Sequence, residues 1–321
     1  MTDPTSSKAS RAFTFPGQGS QQVGMGRALS EAYREAKQVF DEVDDALGEK
    51  LSTIIFEGPE ETLTLTANAQ PALMAVSIAV MRVLEGMGFS LKEQASYVAG
   101  HSLGEYSALC AAGSISLGDT ARLLRIRGNA MQAAVPVGMG AMAAIIGLEQ
   151  SDVEAICDAA RGSGTCQIAN DNGGGQLVIS GSKAEVEAAA DAAKEKGAKR
   201  ALLLPVSAPF HSAMMAPAAE AMREALAEVE VNAPVVPLVA NVLAAPISDA
   251  DEIRQRLVEQ VTGQVRWRET VIWLGESGVE TLVEVGAGKV LCGLARRINR
   301  ELSTASIGSP EDITAFLNPS A

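Results

Sequence analysis

The stretch GHSLG holds Ser102 between Gly100 and Gly104, with Leu103 directly after it. This G-x-S-x-G spacing carries chemistry when a strand enters it and a helix leaves it, because the sharp turn lifts the serine hydroxyl clear of the sheet. The apolar run SYVAG leads in and the alanine-rich EYSALCAAG leads out. The N-terminal N–H groups of such a helix favour negative charge developing beside Ser102. Ser102 is therefore read as a nucleophile, against the plainer alternative of a serine that caps a helix.

A serine nucleophile needs a base. The chain has two histidines, His101 and His211. His101 adjoins Ser102, so its side chain should diverge from the hydroxyl. His211 lies in VSAPFHSAMM, after the apolar run ALLLPV, at a strand-to-helix junction of the kind that carries catalytic groups. It is the expected base. No convincing carboxylate completes a triad, since Asp171 lies in NDNGGG, which is turn chemistry. A Ser102–His211 dyad with the histidine oriented by a backbone carbonyl is the economical reading. The backbone N–H groups of Gln18, in FPGQGSQ, and of Leu103 are candidate oxyanion donors. FPGQGSQ is not a dinucleotide loop, because Gln22 stands where the third glycine of G-x-G-x-x-G belongs.

Arg127 adds a second kind of chemistry. Leu123, Leu124 and Met131 share one stripe of a helical segment, and Arg127 falls on that stripe. Arg122 and Arg125 point elsewhere and are expected in solvent. An inward guanidinium calls for an anion. A structural ion pair or a side chain snorkelling to water would meet that need. The functional reading is a bidentate clamp on a substrate carboxylate.

The frame that must hold these groups is α/β. RAFTF is a short buried strand, and a helix follows from about Met25. NAQPALMAVSIAVMRVLEGMG is a buried helix with Pro71 in its first turn. SYVAG is a strand and SLGDTARLLRIRGNAMQAAV a helix. The middle of the chain differs, running β-α-β-β-α-β from GAMAAIIGL to KRALLLPV, the ferredoxin-like order. Ser182 and Glu185 form a capping-box pattern there. A helix from about His211, the strands PLVAN and TLVEVGAG, and a closing helix KVLCGLARRINR complete the larger part. The expected division is a large subdomain over 11–137 and 207–321, a small one over 138–206, and a polar tail over 1–10.

Composition bounds the function. With 321 residues, 47% hydrophobic and 20% charged, the chain fits a soluble globular protein with a sizeable core. A net charge of −13 argues against nucleic acid as a partner. No apolar run reaches the roughly 18 residues that span a bilayer. The polar start MTDPTSSKAS is not a signal peptide, so a cytoplasmic location is expected. Cys110, Cys157, Cys166 and Cys292 form no C-x-x-C pair and are read as reduced core thiols. No His/Cys cluster supports a metal site.

In order along the chain, FPGQGSQ, NAQPAL, GHSLGEYSALCAAG, RGNAMQAAVPVGMGAMAAIIGL, ANDNGGGQLVISG, PVSAPFHSAMM and VEVGAGKVLCGL resemble the malonyl-CoA:acyl carrier protein transacylase family, from about Phe13 to Arg300. The resemblance implies a hydrolase-like α/β core with a mostly parallel sheet and a ferredoxin-like insert. It implies Ser102 as nucleophile, His211 as base, Arg127 as clamp on a malonyl carboxylate, and Gln18 and Leu103 as the oxyanion hole. It further implies Gln260 as the residue whose backbone carbonyl orients the histidine, and Gln70 as a pocket-lining residue. Phe210, in APFH, leans toward malonyl over methylmalonyl. The tail of about ten residues lies outside the family's usual start.

The implied activity is ping-pong transfer of malonyl from malonyl-CoA to the phosphopantetheine thiol of acyl carrier protein in fatty acid biosynthesis, without a cofactor and by a monomer. Because the carrier and this chain are both acidic, docking calls for a local basic patch, for which Lys289, Arg296, Arg297 and Arg300 are candidates. The same residues also suit a helix C-terminus. The alternatives are a serine esterase or thioesterase and a non-catalytic subunit that binds acyl carrier protein. Arg127 and the missing triad acid argue against the first. The joint presence of Ser102, His211 and Arg127 argues against the second.

Overall fold

The strand β1 (Arg11–Phe15) feeds two cores at once. Phe13 and Phe15 face one apolar cluster, and Ala12 faces another. The strand β2 (Tyr97–Gly100) does the same, with Val98 in the first cluster and Ala99 in the second. Alternation into two cores is what a parallel sheet with helices on both faces demands. The computed structural model describes residues 10–206 and 208–318, so the tail expected over 1–10 lies outside the described residues apart from Ser10.

The strands β3 (Gly140–Ile146), β4 (Cys166–Asp171), β5 (Gln176–Ser182) and β6 (Arg200–Leu203) form a separate antiparallel sheet in the order β4-β5-β3-β6. The helices Gln150–Ala160 and Lys183–Glu195 share its core, packing Val153 and Val186 against Ile145 and Ile179. This is the ferredoxin-like arrangement. The chain then rejoins the first sheet through β7 (Leu238–Ala240), β8 (Ala245–Ile247), β9 (Thr281–Val285) and β10 (Ser303–Ile307). That sheet has the order β10-β9-β1-β2-β7-β8, with β8 antiparallel and the other pairs parallel. Backbone bonds tie the two regions together. Val265 N–H donates to Ala169 O at 2.8 Å and Asp171 N–H to Val265 O at 3.0 Å.

Several expectations need correction. The buried helix spans Thr66–Gly86, so Pro71 lies inside it and not in its first turn. A proline there leaves the carbonyl four residues back without its usual N–H donor. That carbonyl belongs to Ala67, and Arg125 Nη1 donates to it at 2.7 Å. Arg125 is thus not a solvated side chain. It also binds Asn68 Oδ1 and pairs with Glu49. By length and composition the Thr66–Gly86 helix could cross a membrane, but 89% of its apolar window is buried inside the protein, as suits a core helix.

The capping box at Ser182 does not form, because Ser182 Oγ accepts from Thr165 N–H at 3.0 Å, across the β4–β5 pair, and makes no bond to its own helix. The helix Val290–Ile298 does not close the chain, since β10 and the helix Pro310–Leu317 follow it. All four cysteines are free thiols, but Cys110 is only partly buried.

Candidate active site

Both glycines of GHSLG are required by contact. A Cβ on Gly100 would lie 1.9 Å from the Gly104 backbone, and one on Gly104 would lie 2.2 Å from Phe15 O. Those approaches fold the chain back from β2 into the helix Gly104–Ala111. The turn forces Ser102 to φ 54°. A non-glycine residue in that left-handed region is strained by roughly 1–2 kcal/mol. Side chains hold it there. Ser102 N–H donates to Asn241 Oδ1 at 2.8 Å, and Gln260 Nε2 donates to Ser102 O at 3.0 Å. Asn241 Nδ2 also holds Gly100 O at 2.6 Å.

His211 is built in the same way, at φ 55°. Gln167, on β4, straps its turn, donating to His211 O at 3.3 Å and accepting from Ala213 N–H at 2.9 Å. The imidazole Nε2 stands 2.8 Å from Ser102 Oγ, and Nδ1 stands 2.8 Å from Gln260 O. A carbonyl can only accept, so Nδ1 carries the proton and Nε2 is free to receive one. Burial first, and the charge of Arg127 second, pull the His211 pKa down to about 3. His211 is therefore neutral near pH 7. His101 Nε2 pairs with Asn172 Oδ1 at 2.9 Å, away from the nucleophile. Asp171 pairs with Arg268 at 2.6 Å and has no bond to His211.

Arg127 is 1% exposed, as its place on the stripe with Leu123, Leu124 and Met131 predicts. Its Nη1 donates to Gln70 Oε1 at 2.7 Å, and its Nη2 to Gln260 Oε1 at 2.8 Å and Ser102 Oγ at 3.1 Å. The guanidinium also lies 5.7 Å from the centre of the Tyr106 ring, within cation–π range. Among the described residues no carboxylate pairs with it, and its Nε has no partner. It is a buried cation whose direct hydrogen bonds go to neutral groups, one of them the Ser102 hydroxyl.

A cavity of about 480 Å³ opens on these groups. Gln18, Gln70, Ser102 and Arg127 line it from the large-sheet side, and Asn172 and Val178 from the small sheet. Gln18 and Leu103 both line this cavity, and among the described residues neither backbone N–H has a backbone acceptor. Lys289, Arg296 and Arg297 lie on the exposed face of the Val290–Ile298 helix and its N-cap, and Arg297 reaches the cavity rim. No cluster of three metal-ligating side chains occurs among the described residues.

Sequence reasoning missed Asn241, Gln167 and Glu105. Asn241 ends PLVAN and Gln167 lies within TCQIAN, and neither carries a local signature. Their roles depend on partners 139 and 44 residues away. Glu105 does leave a signal in the sequence, as a lone carboxylate in the alanine-rich apolar segment EYSALCAAG.

Comparison with known proteins agrees with this geometry. Residues 12–310 match the acyl transferase domain family. The malonyl CoA-acyl carrier protein transacylase of Bacillus subtilis (strain 168) is 47% identical over 303 residues, covering 94% of each chain. The crystal structure of an acyl-carrier-protein-S-malonyltransferase from Bartonella henselae superposes with a TM-score of 0.95 at 64% identity, covering 97% of this chain and 99% of that one. A type II PKS acyl-carrier protein in complex with its malonyl-transacylase contains a chain that superposes with a TM-score of 0.93 at 43% identity, covering 97% of this chain and 100% of that one. An elbow serine, a neutral histidine on its hydroxyl and near full-length likeness converge on one assignment: the chain belongs to the acyl transferase domain family and, within it, to the malonyl CoA-acyl carrier protein transacylases.

Proposed function

We propose that the chain moves a malonyl group from malonyl-CoA to the phosphopantetheine thiol of acyl carrier protein through malonyl-Ser102. The observation that carries this reading is the buried Arg127, which touches Ser102 Oγ and has no carboxylate of the described protein residues as partner. An acyl donor with its own terminal carboxylate supplies that partner. A neutral acyl group leaves the cation uncompensated and is disfavoured by about 2–5 kcal/mol.

His211 Nε2 takes the Ser102 proton as Oγ attacks the thioester carbon. The Gln18 and Leu103 N–H groups donate to the oxyanion, each worth about 100–1000-fold in rate. Collapse expels coenzyme A, whose thiolate takes the proton back from His211. The carrier thiol then repeats the sequence in reverse, giving its proton to His211 and returning Ser102 to the hydroxyl form. Gln260 O holds the imidazolium in register through both halves, in place of a triad acid. Arg127 also acts on the base. Its charge is the second cause of the low His211 pKa, so a bound carboxylate that offsets it restores basicity to His211. The correct substrate thus raises the basicity of the histidine that activates Ser102.

Lys289, Arg296 and Arg297 are the proposed docking patch for the acidic carrier. Arg296 and Arg297 spend their Nε–H groups on Thr304 Oγ1 and Gly293 O, neutral acceptors that leave the charges free. Reversing both arginines should raise the KM for carrier several-fold without changing malonyl-CoA consumption by Ser102; an unchanged KM removes the patch. A monomer in the cytoplasm completes the reading, and sedimentation at a mass near 33.3 kDa tests the monomer. The function itself is tested by mixing enzyme, malonyl-CoA and holo-carrier. Malonyl-carrier should form with Ser102 and vanish in Ser102→Ala, whereas steady release of malonate without carrier modification points to a thioesterase.

A further inference from the structure

Glu105 is the buried carboxyl that the transfer scheme leaves without a task. It is 1% exposed, on the first turn of the elbow helix. Its two oxygens are both engaged. Oε2 accepts from Gln260 Nε2, and Oε1 accepts from Asn241 N–H at 3.3 Å. Gln260 is the residue whose Oε1 accepts from Arg127 Nη2 and whose backbone carbonyl holds His211 Nδ1. A carboxamide has two faces, one accepting and one donating, and nothing intrinsic decides which way it points. A carboxylate accepts only, so Glu105 compels the Gln260 amide to turn its NH2 inward. That leaves the amide oxygen for the guanidinium. Turned over, the amide would set NH2 against the Arg127 donors and oxygen against a carboxylate.

We propose that Glu105 is a positioning residue for the transfer, fixing the Gln260 carboxamide so that one glutamine serves both the carboxylate clamp and the histidine. The arrangement makes Arg127 and Glu105 an ion pair bridged by an amide. The guanidinium keeps its charge partner at one remove and stays open to substrate. A direct Arg127–Glu105 pair would fill the clamp.

The role is strongest in the ionised form, because both Glu105 oxygens accept from N–H donors and a proton on either one sets a donor against a donor. Burial, the largest cause, raises the Glu105 pKa to about 7, against smaller lowering by Gln260, Asn241 and Arg127. Arg127 is the charged side chain facing it. Tyr106 beside it and neutral His211 across Gln260 are the other titratable groups there, and β1, β2, β7 and the Thr66–Gly86 helix bring it no charge. The positioning carboxylate therefore exists above about pH 7 and is lost as pH falls through it. His211, with a pKa near 3, does not titrate in that range. An acid limb near pH 7 in the malonyl rate profile is the expected signature of Glu105.

The inference rests on the malonyl transfer reading, and one experiment separates the two. Steady-state transfer is measured from pH 5.5 to 9 for wild type, E105Q and E105D, with malonyl-CoA and with acetyl-CoA as donors. E105Q should lose about 10–100-fold in kcat/KM for malonyl-CoA at pH 8, through a raised KM and a lowered kcat together. Its malonyl-to-acetyl preference should shrink, and its acid limb near pH 7 should disappear. E105D keeps a carboxylate at shorter reach, so it should recover part of the rate and retain an acid limb. If E105Q fails to fold, E105D decides alone, since wild-type KM, kcat and preference in E105D contradict a positioning role. An E105Q enzyme with the wild-type profile at every pH overturns the inference while the transfer reading stands. A wild type that prefers acetyl-CoA overturns the reading itself.

Discussion

Arg125 and Arg127 lie two residues apart on one helix and meet opposite ends. Arg125 turns to the start of the Thr66–Gly86 helix, where the chain supplies its partners. It pairs with Glu49, binds Asn68, and caps the Ala67 carbonyl that Pro71 leaves without a donor. Arg127 turns to the cavity, where its partners are two neutral amides and a hydroxyl, and its Nε has no partner. The first arginine completes a structure. The second leaves a charge for something outside the protein to complete. Burial alone does not separate the two; what differs is whether a carboxylate of the chain bonds the guanidinium directly, as Glu49 does for Arg125, or faces it only through an amide, as Glu105 does for Arg127.

Breaking the functional arginine should give the largest effect. Arg127→Met removes the carboxylate clamp and is expected to lower kcat/KM for malonyl-CoA by about 100–1000-fold, with much less effect on acetyl-CoA. Its thermal midpoint should stay near that of wild type, because the desolvation cost of the buried cation is removed while Glu105 loses the charge that faces it. A drop of equal size for both donors would mean that Arg127 acts on the nucleophile and not on the carboxylate.

Breaking the structural arginine should do the reverse. Arg125→Met orphans the Ala67 carbonyl and Glu49 and is expected to destabilise the fold by about 1–3 kcal/mol in a denaturant titration. Transfer activity per folded molecule should stay within about twofold. A destabilised Arg127→Met beside an inactive Arg125→Met would invert the comparison.

A smaller effect tests the coupling between clamp and base. Arg127 lowers the His211 pKa, so Arg127→Met should raise it from about 3, and saturating malonate on wild type should raise it too. Nitrogen-labelled imidazole followed by NMR from pH 3 to 7 reads both shifts. Below its pKa His211 carries a proton and cannot act as base, so the raised value extends the inactive acid range upward. Loss of the shift on adding malonate would separate substrate charge from basicity. The effect of reversing Arg296 and Arg297 on carrier KM should be the smallest of the set.

Much of the frame was legible because its causes are local. The elbow follows from two glycines that no larger residue can replace, and the small sheet from strand and helix periods that alternate in a recognisable order. Arg127 was legible because helical spacing put a charge among leucines. What was misread depends on distant partners. Pro71 inside a helix becomes tolerable only when Arg125, 58 residues beyond the orphaned carbonyl, reaches back to it. Ser182 and Glu185 spell a capping box, yet Thr165 N–H claims the hydroxyl first. Asn241 and Gln167, which hold Ser102 and His211 in strained turns, are ordinary polar residues until the fold brings them to those turns. The unread end of the chain, β10 and the helix after it, lacked a motif with which to place it.

On the proposed function, a buried arginine with no carboxylate bonded to it directly makes Ser102 a relay for a carboxylated acyl group. Intact mass spectra of the protein after brief exposure to malonyl-CoA or acetyl-CoA test it most directly. Wild type should carry one stable malonyl adduct and little acetyl adduct, Ser102→Ala should carry none, and Arg127→Met should lose the malonyl preference. Equal labelling of wild type by both donors, or an adduct that persists in Ser102→Ala, would contradict it.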